Sequence, residues 1–413
     1  METAKIRDGA YGNFVTGMGR RDTDKTENTF VNPYAGTDIV ELARIKVQDG
    51  IAARIVECVP ETAFKEPVTI TGDSSGKVFK EASAVGLFEA LQLAGEYQRL
   101  TGGALIVSEY ENEYDIEQLK RPAPENRKIS QYRVYSAGKV EFQPTDFQGD
   151  TPKVYRVVLL DNKRIEIHPS RCTVIHGKIV PDILQGIPIR ERFFGMPALK
   201  ACEQSLKNLA NVVASIVNMA TETGVMLFSL EGFNEMLSKP DCGIQDAQQL
   251  ISLVKVSMSS FRGVFSGAND KFQILSHNFA GLPEVLQKAM NLVCADSRIP
   301  VSILFGQSAT GLAQTNEGDS KAYAELVESW RSRYIYRPAC SLIADLSERN
   351  CGIVCSEFEW GAVTTMSVRE KLEAMKMQAE MLNIYYQMGA IDEQSIREGI
   401  FKNGHSWDIS VKD

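Results

Sequence analysis

Histidine is scarce in this chain, and two motifs of enzyme chemistry are missing from it. Four histidines occur in 413 residues, and none belongs to the helical H-E-x-x-H pair that binds zinc. No G-x-x-x-x-G-K-[ST] sequence is present, so the chain lacks the loop that cradles ATP phosphates in P-loop enzymes. We therefore expect no ATP hydrolysis and no histidine-based metal site.

Long apolar runs are also missing. No window approaches the roughly 20 apolar residues that a membrane span needs, and residues 1–24 are too polar for a signal peptide. The eight cysteines are scattered along the chain, unlike the dense framework of a small secreted domain. We expect reduced thiols, synthesis in the cytoplasm and no membrane association.

The chain has no excess of cationic residues. Lys and Arg number 45 against 53 Asp and Glu, which gives a formal net charge of -8. Such a balance does not recruit nucleic acid by counterion release, so tight static DNA wrapping is not expected. It still allows DNA to pass nearby without adhering, because an acidic surface repels phosphates.

Fragments of known sites occur, but each is incomplete. Cys351 and Cys355 have a metal-like spacing without a second ligand pair, so an ordinary buried pair on a strand is the simpler interpretation. His168 and Ser170 form one H-x-S element, whereas phosphodiesterase chemistry needs two such histidines around one phosphate. We predict no catalytic residue, no metal site and no cofactor.

The apolar patterns predict an α+β fold. At 413 residues and 44% hydrophobic composition, the chain is large enough for two or three packing units. Helical spacing runs from residue 39 to residue 59 with a break at Asp49 and Gly50. Another helix passes through Leu87 and ends at the Gly102–Gly103 pair, followed by a strand over 104–108. Short alternating runs predict a β-rich block between residues 128 and 180.

The second half of the chain is predicted to be mostly helical. The expected elements are a helix over 197–223, strands over 225–230 and 271–275 around a helix over 244–256, a helix over 282–297, a glycine-bearing loop over 305–319, a helix over 320–347 kinked at Pro338, a strand over 352–358, a helix over 367–388 and a short helix from Asp392.

The most specific stretch is FAGLPEVLQKAMNLVCADSRIPVSILFGQSATGLAQTNEGD, residues 279–319. It resembles the helix, the IP-x-x-x-LFGQSP-x-GL turn and the glycine-rich loop of tailed-phage portal proteins, in particular a portal-like family once catalogued only as a phage-associated domain. Ala309 stands where proline is common, which affects loop stiffness. LQLAGEYQRLTGGALIV and IEIHPSRCTVIHGKIVP are weaker matches to the same family, in the expected order.

The resemblance implies a portal-like organisation of the α+β chain. It places an N-terminal arm at 1–36, an α/β wing at 37–196, stem helices at 197–223 and 281–298, and a small α/β clip at 224–280. A tunnel loop, a long helix and a return to the wing would occupy 299–366, and a helical crown 367–413.

The resemblance also implies a function, a location and partners. The chain would form a ring, twelve subunits in the capsid, at one vertex of a virion, after synthesis in the host cytoplasm. Its partners would be itself, double-stranded DNA without sequence preference, terminase, a head-tail adaptor, and major capsid or scaffold protein. Lys200 and Lys207 lie two turns apart on one predicted helix, where their spacing fits either a channel face that meets phosphates or a face turned to solvent or a neighbouring subunit. The expected tunnel-loop contacts to DNA are Gln307, Ser308, Thr310, Gly311, Gln314, Thr315 and Asn316.

Two alternatives remain open at this point. The first is a phage-encoded nucleotide phosphodiesterase, because related portal-like domains have been grouped with such proteins, although a second H-x-[ST] element is missing here. The second is another head-to-tail connector or a minor head protein, which would also form rings without catalysis. The length of the chain and the long helix before the crown favour the portal.

Overall fold

The computed structural model describes residues 38–113, 116–159, 161–181, 183, 186–221, 225–229, 271–275, 281–306, 317–363 and 368–389. The predicted arm, the predicted helix over 244–256 and the predicted helix from Asp392 lie outside these ranges. Within them, none of the helices combines the length and the apolar composition that a bilayer span requires.

The described helices fall into an N-terminal group, a long pair and a C-terminal group. They are α1 (Ile39–Gln48), α2 (Gly50–Ala63), α3 (Lys77–Ala84), α4 (Leu87–Thr101), α5 (Ile189–Phe194), α6 (Ala198–Thr221), α7 (Leu282–Ser297), α8 (Val301–Leu304), α9 (Glu317–Trp330), α10 (Tyr336–Leu346) and α11 (Val368–Gln387). Two π-helical segments, Arg331–Ile335 and Ser347–Cys351, follow α9 and α10.

The strands form small antiparallel sheets. They are β1 (Thr69–Ile70), β2 (Gly103–Tyr110), β3 (Ile129–Ser136), β4 (Val140–Glu141), β5 (Phe147–Gln148), β6 (Thr151–Pro152), β7 (Tyr155–Val158), β8 (Arg164–Ile167), β9 (Cys172–His176), β10 (Val225–Ser229), β11 (Lys271–Leu275) and β12 (Phe358–Glu359). The strand orders are β3-β2-β9 and β4-β7-β8, with β1-β12, β5-β6 and β10-β11 as pairs.

The predicted helix ends in the N-terminal region are confirmed. Asp49 separates α1 from α2, and its carboxylate accepts a hydrogen bond from the Ile51 N–H, which caps α2. Helix α4 ends at Gly102, whose φ of 88° lies in the left-handed region that glycine adopts without strain. The predicted strand and β-rich block follow as β2 to β9.

Strand β2 is buried on both faces because two hydrophobic cores meet at it. Alternation places Ala104 and Ile106 in the larger core, which also contains side chains of α2, α4, α6 and α10. Leu105 and Val107 point to the opposite face, into a smaller core with residues of β3, β7 and β8. The alternating side chains of β2 therefore connect the core of the helices to the core around β7 and β8.

The long helices α6 and α7 pack against each other and confirm the two helices predicted over 197–223 and 282–297; their assignment to a stem stays a prediction. Pro283 occupies the first turn of α7, where its missing N–H costs nothing. Between the two helices, β10 and β11 pair in the register Val225 to Leu275, so both predicted strands of the insertion are present.

Three sequence expectations are wrong in detail. Glu317–Asp319, expected in the loop, begin α9, and Asp319 is held by Ser302 there. Only Phe358 of the predicted strand over 352–358 is in a strand, because its pairing partner β1 is two residues long. The helix is not kinked at Pro338 itself; its hydrogen-bonding pattern changes about one turn earlier, in the π-helical segment Arg331–Ile335. Pro338 has no N–H to donate to the preceding turn, and the wider π turn lies where that hydrogen bond would form.

Candidate channel and assembly site

The two predicted stem lysines lie on α6, and both are paired with carboxylates. Lys200 is half-buried, and its Nζ lies 3.5 Å from a carboxylate oxygen of Glu191. Lys207 is more exposed and pairs with Glu203 one turn before it. Each positive charge is therefore partly neutralised within its own chain.

The described parts of the stem helices carry balanced charge. Their charged residues are Lys200, Glu203 and Lys207 on α6 and Glu284, Lys288 and Asp296 on α7. Three cations against three anions do not form the continuous basic stripe that grips a phosphate backbone. The charge of these two helices therefore does not predict tight binding of nucleic acid.

Apolar side chains lie open on the same two helices. Val213 and Val217 on α6, and Val285 and Leu292 on α7, are between 44% and 56% exposed. The faces that α6 and α7 turn to each other are already buried through Leu206, Leu209 and Val293. The exposed residues thus belong to faces that nothing in the described chain covers.

The proposed DNA contacts at residues 307–316 lie outside the described residues, but the ends of this segment are fixed. Ser302 Oγ donates a 2.6 Å hydrogen bond to a carboxylate oxygen of Asp319, which joins α8 to α9. Arg54 Nη1 donates to the Leu304 carbonyl at 3.1 Å and ties α8 to α2. The segment therefore starts and ends at neighbouring points of the helical core.

Four glycines bring the segment before α6 close to the start of β2 and the end of β9. A Cβ on Gly102 would lie 2.2 Å from the Gly195 carbonyl oxygen, and one on Gly177 would lie 2.3 Å from the Gly102 carbonyl oxygen. A Cβ on Gly103 would lie 2.5 Å from the Phe194 ring. Three backbone segments meet here without space for a side chain, just before α6 begins.

A buried ion pair lies just beyond the C-terminal end of β2. The Arg171 guanidinium donates to both carboxylate oxygens of Glu113 at 2.6 and 2.8 Å, and the two side chains are 2% and 8% exposed. Burial alone would raise the pKa of Glu113, but the hydrogen bonds and charge of Arg171 outweigh it and hold that pKa below its usual value. Tyr110 lies between Arg171 and Arg349, about equally far from each guanidinium.

The H-x-S element forms a local turn. His168 Nδ1 accepts from the Ser170 N–H and contacts Ser170 Oγ at 2.8 Å, which caps a 3₁₀ turn before β9. His176 lies at the far end of β9, where its Nδ1 contacts the Phe193 carbonyl oxygen at 2.9 Å instead of the His168 turn. The described histidines thus do not converge on one phosphate.

No metal cluster is found in the part of the chain that the structure describes. No three His, Cys, Asp or Glu side chains come close enough together there to hold an ion. Cys355 is buried and Cys351 half-buried, and both are free thiols. Contrary to the expectation of a strand pair, Cys351 ends a π-helical segment.

A family model described as phage portal protein matches residues 42–384. The chain belongs to the phage portal protein family. This confirms the resemblance that the sequence carries most specifically at residues 279–319. The matched range also contains both α6 and α7.

A curated relative is 24% identical over 347 residues, 79% of this chain and 54% of its own length: "Anti-CBASS protein Acb1" of Sphingomonas paeninsulae. The portal-family chain thus spans about half the length of this relative. Two solved structures are similar in fold. One, from the neck of an empty gene transfer agent particle, has a TM-score of 0.53 and 11% identity over 88% of this chain and 93% of its own.

The other solved structure comes from the neck of a native gene transfer agent particle, with a TM-score of 0.52 and 11% identity over 86% of this chain and 89% of its own. At such identity these likenesses concern the fold alone. They confirm the portal-like α+β fold.

The close approach of Gly102 to Gly195 and the Arg171–Glu113 ion pair were not predicted from the sequence. Their members are separated by 93 and 58 residues along the chain.

Proposed function

We propose that this portal-family chain is one subunit of a ring at a single vertex of a phage capsid, through which double-stranded DNA enters and leaves. The single observation that carries this proposal beyond family membership is the uncovered apolar surface of α6 and α7, exemplified by Val217 and Leu292. Apolar faces of this kind mark protein interfaces when they stay open in one chain. In a closed ring each subunit covers such a face of the next.

Twelve copies fit this proposal. Of the two gene transfer agent necks with a similar fold, the native one was computed with twelvefold symmetry and the empty one with sixfold symmetry. Those symmetries belong to the other particles. We extend the twelvefold arrangement to this chain when it is embedded in a virion.

In this ring the 307–316 segment reaches the DNA. Hydroxyl and amide side chains, and the backbone N–H of Gly311, offer hydrogen bonds to phosphate oxygens without reading sequence; the residues are Gln307, Ser308, Thr310, Gly311, Gln314, Thr315 and Asn316. The fixed ends at Ser302 and Asp319 support a narrow constriction at one height. Lys200 and Lys207 face the channel with their charge reduced by Glu191 and Glu203.

The ring also serves as a docking platform. Terminase and a head-tail adaptor bind it from outside the capsid, and capsid or scaffold protein contacts it from within. The chain supplies no ATP-binding loop of its own, which is consistent with a motor provided by terminase.

Removal of the loop tests the channel role. We expect deletion of residues 307–316 with a short glycine linker to leave rings assembled, because Ser302 and Asp319 remain in place, while DNA packaging or retention falls. Replacement of the same segment by a Gly-Ser sequence of equal length is the matched control for loop length. Normal packaging and retention by both variants would refute the role of the loop.

A second candidate is the phage-encoded nucleotide phosphodiesterase that the sequence leaves open. The Sphingomonas relative, whose name assigns it an anti-CBASS role, is the observation that keeps a function other than a structural one under test. The local turn around His168 weighs against it, because the imidazole is already hydrogen-bonded to Ser170. A cyclic-dinucleotide hydrolysis assay on the purified chain separates the candidates. We expect no turnover; hydrolysis that is lost in His168→Ala would establish the enzyme.

A further inference from the structure

Two open grooves on the β-rich part of the chain share the start of α5 as a common wall. The first has a volume of about 790 Å³ and lies between this helix and the sheet β4-β7-β8. The second has a volume of about 630 Å³ and lies between the helix and the β5–β6 hairpin. Ile189 lines both grooves and is 39% exposed, so it forms the ridge between them.

Each groove is lined by one arginine of α5 that has no partner. Arg190 lines the first groove and Arg192 the second, and neither guanidinium has an ion pair or a hydrogen bond within the described part of the chain. Glu191, between them in sequence, pairs with Lys200 instead. Arg192 is exposed and Arg190 is half-buried, so a ligand can reach both side chains from the grooves that they line. Each would gain from an oxygen acceptor.

The first groove has one uncompensated positive charge. Its other charged side chains each lie within 3.2 Å of an opposite charge; the pairs are Arg164–Glu141, Arg156–Glu166 and Lys120–Glu117. Arg190 is the cation that is left over. The carboxylate of the exposed Asp150 in the second groove balances the charge of Arg192 there. The two grooves together therefore favour a ligand with negative charge, which binds at Arg190.

Aromatic side chains connect the two grooves. Phe142 lines the first groove, and Phe147 and Phe193 line the second. The ring centre of Phe142 lies 5.0 Å from that of Phe147 and 5.1 Å from that of Phe193, and all three residues are half-buried. One cluster of partly exposed phenylalanines thus extends through both grooves, next to the unpaired arginines.

This combination of groups defines the ligand. We infer that the two grooves bind an extended acidic segment of a partner protein, with a carboxylate on Arg190 and apolar side chains on the phenylalanine cluster. A guanidinium binds a carboxylate through two parallel hydrogen bonds. Successive side chains of an extended peptide point to opposite sides, so such a segment can place an acidic and an apolar residue on either side of Ile189. The inference goes beyond the proposed function and does not depend on ring closure.

A nucleic acid fits these grooves less well than a peptide. Glu141 and Glu166 line the first groove and are 49% and 43% exposed, so they would repel a run of phosphates. Binding of a phosphate backbone needs a row of unpaired cations, whereas Arg190 and Arg192 are separated by one residue on a short helix. A peptide instead presents single carboxylates among apolar groups.

A model peptide tests the inference on the purified full chain. The probe is a fluorescent hexapeptide in which glutamate alternates with leucine, and its binding is measured by fluorescence anisotropy. We expect Arg190→Gln to raise the Kd by about tenfold. Arg44→Gln is the matched control, because it removes the same charge from an exposed site on α1 outside both grooves, and it should leave the Kd unchanged.

Two further variants separate a binding effect from a folding effect. Arg192→Gln changes an exposed side chain, so it should unfold at the wild-type temperature and still raise the Kd by about threefold. Asp150→Asn removes the carboxylate that opposes the ligand and should lower the Kd by about twofold. Peptides with lysine for glutamate, or serine for leucine, should bind at least about tenfold more weakly than the probe.

Several results would overturn the inference. Absence of saturable binding of the probe, or equal binding by wild type and Arg190→Gln, refutes the site. Displacement of the probe by a short DNA duplex at equal concentration would assign the grooves to nucleic acid. Weaker ring assembly of Arg190→Gln in sedimentation would assign them to a second copy of the chain. Rings that form normally in a wild type that does not bind the probe would leave the proposed function intact.

Discussion

Gly102 and Gly195 cross so closely that a Cβ on Gly102 would lie 2.2 Å from the carbonyl oxygen of Gly195. The φ angle is 88° at Gly102 and 113° at Gly195, values that residues with a side chain rarely adopt. Gly102 ends α4 and Gly195 lies three residues before α6, so the crossing joins the end of α4 to the start of α6. The path of the chain into α6 is set at this point.

Substitution at this crossing should destabilise the fold strongly. Gly102→Ala combines an unfavourable φ with a clash against backbone, and we expect it to lower the free energy of unfolding by about 3 kcal/mol or more. Urea denaturation of the purified chain measures the loss. Gly50→Ala is the control, because no atom lies within 4 Å of its added Cβ and helix α2 accepts alanine, so its effect should stay below about 1 kcal/mol.

The Glu113–Arg171 pair should make stability depend on pH. Because the pKa of Glu113 is depressed in the folded chain, its contribution is fully present above the ordinary glutamate pKa of about 4.3 and is lost as pH falls through the lower folded value. Glu113→Gln leaves the buried guanidinium unpaired and should cost about 3 kcal/mol at pH 7. The cost should shrink as the pH is lowered.

An exposed pair provides the comparison for Glu113. Arg164 and Glu141 are 63% and 49% exposed, so Glu141→Gln should change the free energy of unfolding by less than about 1 kcal/mol. Chemical denaturation at pH 7 and at pH 3.5 measures both variants. If Glu113→Gln were as mild as Glu141→Gln at pH 7, the assigned role of the buried pair would be wrong.

The exposed apolar face of the stem should matter for assembly and little for the single chain. Leu292→Glu places a charge on a residue that is 56% exposed, so its thermal unfolding as a monomer should stay close to that of the wild type. Ring formation should be lost, because a carboxylate would be buried in the subunit interface. Size-exclusion chromatography with light scattering measures the loss.

Gln287→Glu is the matched control for Leu292→Glu, since it puts the same carboxylate on the same helix at an exposed polar position. It should assemble normally. Retention of rings by Leu292→Glu would show that this face of α7 lies outside the subunit contact.

Local sequence signals predicted much of the fold. The break at Asp49, the end of α4 at Gly102 and the start of α7 at Pro283 follow from capping chemistry, backbone freedom and the missing proline N–H. The α+β class and the family resemblance followed from apolar spacing and from the 279–319 motif. These features depend on residues that are close together in the chain.

Features that depend on distant partners were not predictable. Arg331 sits in a run that has ordinary helical composition, and its burial depends on Ala63 and Gly361, far away in sequence. Glu113 follows β2 and Arg171 precedes β9, so only the pairing of these two strands brings the residues together. The loop boundary was set too late because the Ser302–Asp319 hydrogen bond, which holds the first turn of α9, is a tertiary contact. The assignment of the 307–316 segment to the channel stays a prediction.

The measurement that tests the central claim most directly is the mass of the purified full chain in solution across a concentration series, with negative-stain imaging of the assembled fraction. We predict closed rings with an open central channel and a mass near twelve times the 45.8 kDa subunit. Rings of another number would still agree with the portal role. A compact monomer at all concentrations, also in the presence of capsid and scaffold proteins, would contradict it.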